Sequence, residues 1–84
     1  MSTMDKILVA MREAPQNIRY ADLVKVCEHY FGQARQQGTS HAVYRMPWKG
    51  DPRVNIQRGN DGKAKMYQVR QVLVAINRLK EGAE

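Results

Sequence analysis

Two periods of apolar residues divide this chain. Met4, Ile7, Leu8 and Met11 recur at helical spacing and predict a short amphipathic helix that opens near Ser2 and Asp5 and stops at Pro15. After a turn around Gln16 and Asn17, Tyr20, Leu23, Val24, Cys27 and Phe31 share one face of a second helix, which Gly32 is placed to end. His29 falls on the opposite face and is read as solvated, because nothing polar at metal-ligand spacing accompanies it. From Gln33 the period changes. Residues 33–37 are polar and have room only for an edge strand, whereas His41 to Met46 and Arg53 to Gln57 alternate as half-buried strands do. Ala42, Tyr44 and Met46 take one side of the first, which leaves His41, Val43 and Arg45 on the side away from the helices. Val54 and Ile56 oppose Arg53, Asn55 and Gln57 in the second, so an open, polar sheet face is expected. Pro47 to Pro52 joins these strands, Arg58 to Gly62 makes a second turn, and Met66, Val69, Val72, Leu73, Ile76 and Leu79 mark a strongly periodic last helix. Glu81 to Glu84 reads as a frayed tail.

The 84 residues therefore predict one α+β domain in the order helix, helix, three strands, helix, without internal repeats. A chain of this size buries only about 60 to 65% of its unfolded surface, so its core is small. Cys27 is the sole cysteine and sits among apolar positions; it reads as a small buried hydrophobe and suits a reducing cytoplasm. The apolar run Ile7 to Met11 is too short for a membrane span and lacks a signal-peptide cleavage pattern, so neither a membrane location nor export is expected.

Charge sharpens this picture. The formal net charge is +6, and it is unevenly placed. Residues 1–32 carry four bases and four acids, which cancel. Between Gln33 and Lys80 stand Arg35, Arg45, Lys49, Arg53, Arg58, Lys63, Lys65, Arg70, Arg78 and Lys80 against only Asp51 and Asp61. Such a concentration in one half offers a footprint for a polyanion, most often nucleic acid and sometimes an acidic protein; the plainer reading is solubility.

Within that basic half, Gly38-Thr39-Ser40-His41 places a histidine just after a glycine-led turn and at the start of a strand. With an unperturbed pKa near ~6.5, an imidazole held there gives or takes a proton at neutral pH, although a lone strand histidine is more often a packed or surface residue. Lys63 and Lys65 stand at the start of the last helix, where the positive end of the helix dipole disfavours cations, and a phosphate would relieve that conflict. Trp48, beside Lys49, either stacks on an unpaired base or covers the core, with the structural role favoured. Tyr44 and Tyr67 are expected to be packing aromatics. Asp51 and Asp61, each alone in a loop, form no carboxylate pair for two-metal chemistry, so no metal and no cofactor are expected.

The run Gly38-Thr39-Ser40-His41 entering a strand, then Pro47-Trp48, Gly50-Asp51-Pro52-Arg53-Val54-Asn55-Ile56-Gln57, Gly62-Lys63-Ala64-Lys65 and Tyr67-Gln68-Val69-Arg70-Gln71-Val72-Leu73 resembles the HicA family of toxin ribonucleases. The likeness covers roughly Asn17 to Leu79, and it implies a HicA-like core over residues 17–80 preceded by an extra helix over 1–15. It further implies a double-stranded-RNA-binding-domain-like fold: a three-stranded antiparallel sheet packed on two helices (α-β-β-β-α). By resemblance the chain is a metal-independent endoribonuclease that cleaves messenger RNA and is silenced by a HicB-type antitoxin. The family's catalytic histidine maps onto His41, because Ser40-His41 is the only matching pair. Thr39 is inserted between the glycine and the serine, and Ala42 replaces a second polar residue common in the family. Arg45, Lys49, Lys63, Lys65, Arg70 and Trp48 are the candidate RNA and phosphate contacts. The extra helix has three open roles: packing on the domain, contacting an antitoxin, or neither. A non-catalytic RNA-binding module of the same fold is the alternative function, and a basic protein whose ligand is an acidic partner is a third.

Overall fold

The computed structural model describes residues 3–34, 36–37, 41–46 and 53–80, with positions 36, 37 and 41 described by their backbone. Its elements are α1 (Thr3–Glu13), a 3-10 turn (Pro15–Asn17), α2 (Tyr20–Phe31), β1 (Gln36–Gln37), β2 (His41–Arg45), β3 (Arg53–Gln57) and α3 (Met66–Lys80). The fold is α+β, three helices and an antiparallel sheet.

The sheet rests on the β2–β3 ladder, which runs from His41↔Gln57 to Arg45↔Arg53 without a slip. Along the other edge of β2, β1 adds two pairs, Gln36↔Val43 and Gln37↔Ala42. A two-residue period explains which face is covered. Ala42, Tyr44, Met46, Val54 and Ile56 are buried under the helices, while Arg45, Arg53, Asn55 and Gln57 are exposed on the other face and Val43 is half-buried there. The open polar face expected from the alternation is thus present at these positions.

All three helices close the core over that sheet. From α1 come Ile7, Leu8 and Met11, from α2 Leu23, Val26 and Cys27, and from α3 Val69, Val72, Ala75 and Ile76. Burying each aliphatic side chain contributes roughly 1.5 to 3 kcal/mol against the entropy of ordering the chain. The role of the first helix, open in the sequence, is therefore at least structural: α1 packs on both α2 and α3. Pro15 stops it as expected, and the Ala14 N–H still reaches the Ala10 carbonyl at 2.8 Å. Gly32 closes α2, its N–H donating to the Glu28 carbonyl at 3.2 Å. Val26, absent from the predicted apolar face, is fully buried because α2 touches β2, β3, α1 and α3 and so needs a wider covered stripe.

Two expectations about α3 are corrected. Met66 and Tyr67 are 41% and 56% exposed, so neither packs in the core as the helical period and the aromatic character suggested. The buried place at the start of α3 is taken instead by Gln68, whose Oε1 accepts the Gln57 backbone N–H at 2.6 Å. An edge-strand amide facing a helix needs a partner, and that need overrides hydrophobic periodicity here. No helix among the described residues is long and apolar enough to cross a membrane.

Candidate nucleic-acid interface

The candidate site lies at the end of the sheet where β2 begins and β3 finishes. His41 and Gln57 are opposite one another there. Because the Gln57 N–H is committed to Gln68 on α3, it is directed away from β2, so His41 and Gln57 form a non-hydrogen-bonded pair, with Cα atoms about 4.5 Å apart. The side chain of His41, and so the expectation that it faces away from the helices, lies outside the described residues. Trp48 and Lys49 lie outside them as well, as do the Gly38 to Ser40 turn, the Pro47 to Pro52 loop and the tail from Glu81.

Beyond Gln57 the chain turns back on itself through Arg58 to Lys65. Arg58 bridges Ala64 and Arg19 bridges Lys63, both antiparallel. Backbone bonds fix the arrangement: Gly59 N–H to the Lys63 carbonyl at 2.8 Å, Ala64 N–H to Ile18 at 2.7 Å, and Tyr20 N–H to Gly62 at 3.1 Å. Two glycines make this path possible. Gly62 sits at φ 80°, a left-handed conformation costly to other residues, and a Cβ on Gly59 would meet the Lys63 carbonyl at 3.1 Å. The Asp61 carboxylate accepts the Lys63 N–H at 3.0 Å and locks the turn.

The consequence is a clustering of cations that linear order conceals. Arg19, Arg58 and Lys63 line one recess at the start of α2, with Asp61 as the acid among the residues lining it. In the sequence Arg19 belongs to the electrically balanced first 32 residues, and Arg58 only to the general basic excess that follows. Their grouping depends on the loop pairing with residues 18–20, for which the sequence carries no local signal.

The remaining predicted contacts separate. Arg45 stands at the far end of β2, paired with Arg53, and four residues at about 3.3 Å each place it roughly 13 Å from His41 along the strand. Lys65 is exposed, and its carbonyl accepts the Gln68 and Val69 N–H groups at 3.0 and 3.1 Å, making it the residue that opens α3. Arg70 is exposed on α3. The Lys63 and Ala64 amides are already hydrogen-bonded, so a phosphate at this loop would meet side-chain charge before backbone N–H. His29 is exposed, edge-on to Tyr30 at 4.9 Å. Cys27 is fully buried, and burial pushes its thiol up to about 12, which removes it as a nucleophile at neutral pH. Among the described residues no group of three or more His, Cys, Asp or Glu side chains is arranged to hold a metal ion.

No protein-family model, curated protein or solved structure matches this chain.

Proposed function

We propose that this chain is a HicA-like toxin of a type II toxin–antitoxin system, a metal-independent endoribonuclease that cuts messenger RNA through His41 and is silenced by a HicB-type antitoxin. Its scaffold in this reading is a double-stranded-RNA-binding-domain-like arrangement, with a three-stranded antiparallel sheet on α2 and α3 and α1 as an addition. One observation carries the proposal: the ladder puts His41 opposite Gln57, and the next residue opens the loop that gathers Arg58, Lys63 and Arg19 at that same end. A proton-transferring group beside clustered cations is what cleavage of a phosphodiester requires.

In this mechanism the His41 imidazole takes the proton of a ribose 2′-hydroxyl as its oxygen bonds to the adjacent phosphorus. The P–O5′ bond breaks, and the imidazolium returns its proton to the departing 5′-oxygen. The products are a 2′,3′-cyclic phosphate and a 5′-hydroxyl. One positioned histidine contributes roughly 10² to 10⁴ in rate, and the cations stabilise charge on the phosphoryl oxygens. A second reading, the non-catalytic RNA-binding module, is favoured by the open sheet face of Arg45, Arg53, Asn55 and Gln57, which suits contact with a nucleic-acid backbone.

The test is cleavage of a long unstructured RNA in EDTA by the wild-type chain and by His41→Ala. Cyclic-phosphate ends from wild type alone, with RNA binding equal in both, support the nuclease. Binding by both without cleavage by either leaves the binding module.

A further inference from the structure

Next in sequence to the cationic loop, where the end of β3 meets the start of α3, lies a second recess of about 330 Å³, at the small end of the range for ligand sites. Its chemistry differs sharply from that of its neighbour. Asn55, Gln57, Gln68, Gln71 and Tyr67 line it, with buried Ala42 and Ile56 at its floor. Among the described residues no charged one lines it, in a chain where 26% of residues are charged.

We propose that this recess is a nucleobase-binding subsite, in which the Tyr67 ring stacks on one base and the exposed Gln71 carboxamide reads its hydrogen-bonding edge. The proposal rests on the reading of the chain as an RNA-cleaving protein and adds where base preference arises. Four features support it. A carboxamide presents a donor and an acceptor in one plane, the pattern that pairs bidentately with base edges, whereas a charged group suits phosphate better. Tyr67 is 56% exposed despite its size, as a stacking platform must be. Gln68 is preorganised: it is 4% exposed, its oxygen is held by the Gln57 N–H, and its Nε2 is therefore turned toward the Tyr67 hydroxyl at 3.4 Å. Finally, Ala42 follows His41 and Gln57 pairs with it, so a base held here is adjacent to the proposed point of cleavage, and Arg58 begins the phosphate-binding loop one residue further on. An added peptide strand fits this edge less well, because Gln68 already occupies the Gln57 N–H that such a strand would use.

The experiment titrates the full chain with each of the four 5′-ribonucleoside monophosphates and with ribose 5-phosphate, following side-chain amide and aromatic resonances by NMR. Saturable shifts at Tyr67, Gln68 and Gln71 with nucleotides but not with ribose 5-phosphate are expected, with unequal affinities among the bases. Tyr67→Ala should weaken nucleotide binding by roughly five- to a hundred-fold and Tyr67→Phe far less, while Gln71→Ala should alter the order of base preference. Both side chains are exposed, so the variants keep the core. Shifts at these residues with the base-free phosphate, or nucleotide shifts confined to Arg19, Arg58 and Lys63, overturn the subsite. So does an extended peptide that moves the β3 amides when nucleotides do not. His41-dependent cleavage without nucleotide shifts here removes the subsite and leaves the nuclease; nucleotide shifts without any RNA cleavage remove the nuclease and leave the subsite.

Discussion

At the scale of single residues, the interior beneath β2 holds three groups whose chemistry is suppressed by burial. Tyr44 is fully buried next to Phe31, with ring centroids 6.3 Å apart, and its hydroxyl has no hydrogen-bond partner among the described residues. A buried unpaired hydroxyl costs stability, so Tyr44→Phe is expected to be neutral or stabilising by up to about 1 to 3 kcal/mol, read by urea denaturation. Burial raises the pKa of Tyr20, Cys27 and Tyr44, that of the thiol from 9.0 to about 12. Since their neutral forms are favoured in the folded state, their contribution is complete below the unfolded thiol's value. It declines as pH rises from about 9 to 12, where the unfolded chain ionises first. Midpoints of unfolding should accordingly be level from pH 7 to 8.5 and fall above 9, and Cys27→Ala should soften that fall. The identity of Cys27 as a buried hydrophobe was legible from its apolar neighbours in the sequence; that two tyrosine hydroxyls share its surroundings was not, because α2 and β2 meet only in three dimensions.

Among the elements, α1 is the one whose contribution the sequence left open. Met11 is fully buried, and Ile7 and Leu8 are 9% and 4% exposed, so α1 behaves as a third wall of the core. Replacing Met11 with Ala should destabilise the fold by about 2 to 5 kcal/mol, whereas Arg12→Ala, on the exposed side, should change stability by less than about 0.5 kcal/mol. Equal thermal midpoints for the two variants would contradict this packing. The faces of Ala42 to Met46 and of Arg53 to Gln57 were readable from the sequence, because a period of two leaves a buried strand face no alternative. The start of α3 was not. There the carboxamide of Gln68 displaces Met66 and Tyr67 from the interior, and only the position of the β3 edge reveals why a polar side chain belongs inside.

For the molecule as a whole, the decisive property is where positive charge collects. If Arg19, Arg58 and Lys63 bind phosphates together, neutralising all three with Gln should make the salt dependence of single-stranded RNA binding shallower by about 2 in log K against log salt, at about 0.7 per contact. An unchanged slope, measured by fluorescence anisotropy across a salt series, would place the contacts elsewhere. The distribution of apolar residues along the chain was enough to determine the three helices, the two longer strands and the inward faces of their described positions, and the distribution of charge gave the basic bias of the second half, since each depends on neighbours a few positions away. Tertiary structure decided which cations become neighbours, which glutamine goes inside and what stands beside His41. Those outcomes depend on contacts between residues as distant as Arg19 and Lys63, and proximity of that kind has no signature in local periodicity.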